Sequence, residues 1–329
     1  MNQPRFDVVA IGNALVDVLA HADDAFLASH GLSKGTMTLI DAEQGRRLYE
    51  EMPPAVEMSG GSAANAMAAV ASLGGRASYI GRVSRDQFGD LFRHDIRTAG
   101  VSFDTPAASD NATGRCLILV TPDAQRTMHT FLGAAADLGP DDVDEQTIAA
   151  SSVTFLEGYL FDPPPAKQAF VKAARAAHAA GRTVALTLSD PFCVERHREE
   201  FVDLVEHHVD LLFANEAEVM ALYETSFDEG LERIRARCRI AALTRGANGS
   251  VVVGSDDVHT IVAERVGPVV DTTGAGDAYA AGFLVGLTSG RELAICGRMG
   301  SIAAAEAISH VGARPELSLR ELVAARLGS

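Results

Sequence analysis

Between Ser152 and Thr244 the chain alternates short apolar runs with longer stretches whose apolar residues recur every three or four positions. Val153–Glu157, Thr183–Leu188, Val209–Ala214 and Ile240–Thr244 have the length of buried strands. Between them lie a proline-initiated helix, Ala166–Ala180, ended by Gly181, then a helix Val194–Glu206, and helices running through Arg237. This alternation predicts an α/β fold, a doubly wound, mainly parallel sheet with helices on both faces. Phe6–Ile11, which ends at Gly12-Asn13, supplies a first strand, and Ala77–Gly81 another. Ser250–Val253 and Val258–Ala263 read as an antiparallel hairpin at an edge, and helices Ala278–Thr288, Glu292–Ser309 and Leu317–Ala325 close the chain.

A second, smaller unit is predicted where the period changes. Leu15–Ala20 stays extended instead of entering a helix, so the chain leaves the sheet after its first strand. Two short amphipathic helices follow, Asp23–His30 and Ala42–Met52, with Asp23 or Asp24 and Asp41 as N-caps, on either side of the strand-like Thr36–Ile40. Gly114–Val120 pairs with Arg126–Leu132 across the turn Thr121–Ala124. We therefore expect residues 1–17, 57–100 and 136–329 to form the large domain, and 18–56 and 101–135 a small α/β lid. Helices Ser62–Leu73 and Phe88–Ala99 belong to the large domain.

Composition narrows the class. The 329 residues, 47% hydrophobic and 22% charged, suffice for one large core and an appended unit. Twenty-eight Lys and Arg against 44 Asp and Glu give a net charge of −16 with scattered cations, which argues against a nucleic-acid partner. An anionic ligand then needs a focused local site. No apolar run approaches the roughly 18 residues of a membrane span. The first residues run straight into a strand without a signal-peptide pattern, so the expected location is the cytoplasm. Cys116, Cys193, Cys238 and Cys296 show no CxxC spacing and read as reduced core thiols. Adjacent His207 and His208 face different ways, and neither HExxH nor GxSxG occurs, which sets metalloprotease and serine-hydrolase chemistry aside.

The chemistry concentrates in Asp271-Thr272-Thr273-Gly274-Ala275-Gly276-Asp277, an extended apolar approach, a glycine-rich turn, and an aspartate opening a small-residue helix. A helix N-terminus leaves about four N–H groups unpaired and carries partial positive charge, so an anion settles there. Phosphate would repel Asp277 unless that carboxylate served a proton, and a hydroxyl about to attack phosphorus supplies one. Taken alone, the segment reads rather as an ordinary capped turn, and other segments must tip the balance. Other residues fall on the same expected rim, beyond the carboxyl ends of the strands: Asn13, Gly60-Gly61, Asn215 to Glu218, and Thr244-Arg245-Gly246. No Walker pattern occurs, so backbone amides must stand in for a phosphate-binding lysine. Glu218, one turn beyond Asn215, is a candidate for a hydrated Mg²⁺, or a solvated helix carboxylate. Asp17 lies in the apolar stretch Ala14–Ala20, where both its oxygens would be satisfied by a vicinal diol.

These residues are similar to those of the ribokinase-like, or pfkB, carbohydrate and nucleoside kinases. The motifs that carry the resemblance are Asp271 to Asp277, Gly60-Gly61-Ser62-Ala63-Ala64-Asn65 and the NxxE element Asn215 to Glu218, over nearly the full length. Gly12-Asn13-Ala14-Leu15-Val16-Asp17, Arg126-Thr127-Met128 and the helices of the amino-terminal excursion lean toward the adenosine kinase branch. The resemblance implies that Asp277 is the base and that Gly274, Ala275 and Gly276 form the anion hole. It implies that Asp17 binds ribose hydroxyls with Gly60, Gly61 and Asn65, Asn13 lying close by. Arg126 would reach phosphate, and Asn215, Thr244 and Gly246 would meet the donor nucleotide. ATP and Mg²⁺ are the implied cofactors, with a monovalent cation or anion activator left open, as is the choice between monomer and homodimer. A sugar such as ribose or fructose is the alternative acceptor, and a catalytically silent nucleoside-binding protein the alternative class. Tyr159 and Phe161 either line an acceptor pocket or belong to the core.

Overall fold

The computed structural model describes residues 3–123, 125–255 and 257–328. Its larger sheet grows outward from β1 (Phe6–Ile11) in both directions. On one side lie β5 (Ala77–Ile80) and β6 (Val101–Phe103); on the other lie β9 (Ser151–Glu157), β10 (Thr183–Thr187), β11 (Leu211–Asn215) and β12 (Ile240–Thr244), all parallel. The antiparallel hairpin β13 (Ser250–Val253) and β14 (Val258–Ile261) completes nine strands.

Period-2 alternation along β1 explains why both faces carry helices. Val8 and Ala10 pack into one apolar cluster with the helices Ser62–Ser72, Ala275–Thr288 and Leu293–Ala307. Val9 and Ile11 pack into another, beneath helices Pro164–Ala179 and Arg198–His207. Between β1 and β9 the strand order reverses, leaving a crevice at their carboxyl ends.

A second sheet of five strands has the order β3 (Met37–Leu39), β8 (Arg126–Phe131), β7 (Gly114–Val120), β2 (Leu15–His21), β4 (Ala55–Gly60). Its helices begin as the sequence indicates: Asp23 accepts from the Phe26 N–H, and Asp41 forms a capping box with Gln44. The hairpin register pairs Arg115 with Phe131 and Val120 with Arg126; Ala124, in its expected turn, lies outside the described residues.

Several expectations shift. Strands of the second sheet start at Leu15 and end at Gly60, whereas Val101–Phe103, grouped by sequence with the lid, is the edge strand of the large sheet. Strand β4 was missed because Pro53-Pro54 and the terminal glycine read as loop, and β6 because it has three residues after Gly100. The expected helix Val194–Glu206 is two helices, Pro191–Arg196 and Arg198–His207, broken at His197, whose Nε2 bonds Asp162 at 2.7 Å. The apolar approach to the glycine turn forms no strand, and Val269 and Val270 are exposed. The helix after that turn begins at Ala275, three residues earlier than expected, so Gly276 and Asp277 lie inside its first turn.

Candidate active site

The cleft is floored by three acids from three elements. Asp17 projects from the middle of β2, Asp277 from the first turn of Ala275–Thr288, and Glu157 ends β9. Ser62 Oγ donates to Asp277 Oδ1 at 2.6 Å, which brings the Gly60-Gly61 turn onto the Asp271–Asp277 turn. Burial pushes the Asp277 carboxyl up to about 6, while hydrogen bonds from Ser62 and Asn65 and the positive field of Arg314 act the other way. Asp17 is likewise raised to about 6, by burial first; Arg314 and Arg126 oppose the shift and Asp277 adds to it. Both acids are hemmed in by protein yet keep part of their surface open, as groups at the bottom of a cleft do.

The double glycine is required sterically. A Cβ on Gly60 would stand 2.3 Å from the Asp17 carboxyl carbon, and one on Gly61, at φ +95°, 2.1 Å from the Asn13 carbonyl oxygen. The helix that follows has no side-chain cap from Gly61. Glu157 fills that place from β9: its Oε2 accepts from the Ala63 N–H at 2.7 Å, and its Oε1 from Asn13 N at 3.2 Å and Asn13 Nδ2 at 3.0 Å. Its pKa rises to about 7 through burial, offset by those three bonds.

At the other turn Gly274 takes the left-handed conformation, φ +74°, and the helix it opens has no side-chain cap. Ala275 N–H reaches Thr272 O at 3.3 Å, but among the described residues the N–H groups of Gly276 and Asp277 meet no protein acceptor. Gly276 is exposed, with open space around it. A helix N-terminus with free N–H groups is chemically suited to an anion. Arg126, at the start of β8, closes over the same segment: its guanidinium donates to Thr273 Oγ1 at 2.9 Å and to Asp271 Oδ2, both ions being partly buried.

Asn215 and Thr244 are register partners at the ends of β11 and β12, on the same rim as Glu157. Asn215 and Glu218 form a complete capping box: Glu218 accepts from Asn215 N at 2.9 Å and Nδ2 at 2.6 Å, and Asn215 Oδ1 accepts from Glu218 N at 2.9 Å. Glu218 is therefore neither a solvated carboxylate nor a freely presented metal ligand; it is buried and raised to about 7, mainly by desolvation. Gly246, at φ +55°, is exposed on the rim after β12. The Tyr159 hydroxyl feels acids of both the donor side and the cleft floor: burial first, then Asp190, Asp277, Glu218 and Glu157, push its pKa up. Phe161 separates from it, packing in the core against Phe170 and Phe201.

Sequence reading missed Glu157 and Arg314. Glu157 carried a signal, an acid ending an otherwise apolar strand run before a glycine. Arg314 carried none, because only folding brings a loop near the C-terminus under the double-glycine turn, where Arg314 donates to Asn65 Oδ1 at 2.9 Å and to the Ser59 carbonyl at 2.9 Å.

A doubly wound sheet with an acid beside an open helix N-terminus at its switch point, covered by a second sheet, defines a small-molecule phosphotransferase class. The model of the pfkB family carbohydrate kinases matches residues 31–319, and the chain belongs to that family, phosphotransferases that act on an alcohol group. It is 30% identical to the adenosine kinase of Saccharomyces cerevisiae over 93% of this chain and 95% of that protein. Among solved structures it resembles the adenosine kinase of Sinorhizobium meliloti, with 51% identity, a TM-score of 0.91 and coverage of 99% of this chain and 100% of the other. A probable sugar kinase from Rhizobium etli matches with 48% identity, a TM-score of 0.92 and 99% of each chain.

Proposed function

We propose that this protein transfers the γ-phosphoryl group of ATP to the 5′-hydroxyl of a ribonucleoside, adenosine foremost. The observation that carries the reading is the placement of Asp277: its helical turn presents two N–H groups that find no acceptor among the described residues, and Ser62 ties it to the loop that flanks Asp17. Asp17 takes the vicinal ribose hydroxyls, with Gly60, Gly61, Asn65 and Asn13 shaping the space around them. Asp277 accepts the 5′-hydroxyl proton as the oxygen attacks the γ-phosphorus; the bond from phosphorus to the β,γ-bridging oxygen breaks and ADP leaves. Gly274, Ala275 and Gly276 present the amides that meet the charge on the migrating group. Asn215, Thr244 and Gly246 line the donor side, and Arg126 moves from Asp271 and Thr273 toward donor phosphate. With the small sheet closed, water is kept from competing with the acceptor.

Magnesium suits this arrangement as a partner of ATP. Among the described residues no three His, Cys, Asp or Glu side chains converge on a common point, and Mg²⁺ is ordinarily held by substrate phosphates, several waters and one or two carboxylates. Glu218, whose oxygens already accept from Asn215, would meet such an ion through water. When bound, the ion neutralises phosphate charge.

A sugar acceptor is the second reading, supported by the likeness to a probable sugar kinase and by the indifference of a diol-binding acid to what the ring carries at its anomeric carbon. ADP release measured across nucleosides and simple sugars separates the two. Highest kcat/KM with adenosine is expected; a preference for free ribose or fructose would replace the nucleoside reading, and no turnover with any acceptor would remove both.

A further inference from the structure

Among the described residues, Arg314 is the one cation whose charge is felt by both Asp17 and Asp277. It sits in the loop between helices Leu293–Ala307 and Leu319–Leu327, whose Gly312 N–H donates to Asp271 Oδ2 at 2.8 Å, so this loop also supports the glycine turn. Its planar guanidinium is divided between two jobs. Nε donates to Asn65 Oδ1 at 2.9 Å, while Nη2 donates to the Ser59 carbonyl at 2.9 Å and to Ser59 Oγ at 2.7 Å. Ser59 is itself held by Asp95, which accepts from Ser59 N at 2.7 Å and Ser59 Oγ at 2.5 Å.

An amide that accepts through its oxygen must turn its NH₂ the other way. With Oδ1 of Asn65 committed to Arg314, its NH₂ is left to face Asp277, whose carboxyl the Asn65 side chain helps to hold down against the effect of burial. Hydrogen bonds thus run from Asp95 of helix Gln87–Thr98 through Ser59 and Arg314 to Asn65, and Asn65 borders Asp277 at the reacting centre. We propose that Arg314 is a positioning residue for phosphoryl transfer: its fork fixes the Asn65 amide against the base, and its charge is shared by the base and the diol-binding acid. The proposal rests on the kinase reading above and adds to it the residue that keeps both acids ionised and aligned.

The surroundings of the pair define what a pH profile reports. Arg314 faces Asp95 from helix Gln87–Thr98, Asp17 from β2, Tyr79 from β5 and Asp277. Asp277 faces Ser62 and Asn65 from helix Ser62–Ser72 and lies near Glu157 of β9, Tyr159 and Asp17; Arg126 of β8 faces Asp17. Burial and the two cations therefore oppose each other in setting where the acids ionise.

The test is the pH dependence of kcat and kcat/KM for Arg314→Met and Arg314→Lys, with Asp277→Asn alongside. Arg314→Met should move the acid limb of kcat/KM upward by about one pH unit, the lower end of what removing a nearby opposite charge does. It should also raise the acceptor KM. Arg314→Lys keeps the charge without the fork, so its acid limb should stay near the wild-type position while kcat at the optimum falls on the order of 10-fold, through loss of alignment. A uniform loss at every pH in Arg314→Met with an unmoved limb, or a lysine variant with wild-type kcat, overturns the proposal. If Arg314→Met does not fold, the lysine variant decides alone. Should Asp277→Asn remain active, the kinase reading itself fails, an outcome distinct from failure of Arg314.

Discussion

Two helices begin at glycine turns that the 2.6 Å bond from Ser62 to Asp277 draws together, and they are finished in opposite ways. The N-terminus of Ser62–Ser72 is stopped by a protein carboxylate, Glu157, which accepts from Ala63 N and from Asn13 and so pins three elements together. Among the described residues the N-terminus of Ala275–Thr288 has no such acceptor, and Gly276 is exposed with open space around it. The same backbone chemistry serves as a structural joint where the chain supplies the negative charge, and in our proposal as a ligand cradle where it does not. What differs is the third partner, a β9 carboxylate in one case and open space in the other.

The sharpest way to break this comparison is at Asp277. Asp277→Ala should lower kcat on the order of 10²-fold or more, the usual worth of a general base, with a small change in acceptor KM. Near-wild-type turnover would leave the open N-terminus without chemistry.

Alanine in each turn should then separate joint from cradle. Gly61→Ala forces a Cβ to within 2.1 Å of the Asn13 carbonyl at a positive φ and should cost about 2 kcal/mol or more of folding stability, seen in the denaturation midpoint. Gly276→Ala meets open space and should change stability by less than about 0.5 kcal/mol while lowering kcat. Equal destabilisation by both would abolish the distinction.

A smaller effect is expected at Asp17. Asp17→Asn should raise the acceptor KM on the order of 10-fold with a lesser change in kcat, since it touches the ring hydroxyls and not the migrating group. An unchanged KM would remove the diol role.

The mildest effect concerns pH and stability. Because Asp277 has a folded pKa of about 6 against an ordinary 3.8, the stability it allows is complete below about pH 4 and is lost as pH rises through 6. Asp277→Asn, neutral throughout, should therefore gain on the order of 1 kcal/mol at pH 8 and nothing near pH 4 in thermal melts. A gain that grows toward acid pH contradicts the assignment. In the native enzyme kcat/KM should fall on the acid side near pH 6, with an apparent value that belongs jointly to Asp17 and Asp277 because each feels the other.

By itself the sequence determined most of the fold, because strand and helix periods are local properties: Phe6–Ile11, Ile240–Thr244 and Ser250–Val253 appear with the bounds their apolar runs indicate. It also exposed the two glycine turns, Asp277 and Asp17, since glycine pairs beside a helix and an acid in an apolar run are unusual in any one-dimensional reading. Tertiary structure decided how those turns differ. Glu157 lies 94 residues from Ala63, and Arg314 lies 249 residues from Asn65, so no local pattern marks either contact. It also decided that Glu218 spends its oxygens on Asn215, that Phe161 joins the core while Tyr159 meets the cleft acids, and that Val101–Phe103 serves the large sheet. Each of those outcomes depends on which partner reaches a group first in three dimensions, and burial then sets the charge that the group can carry.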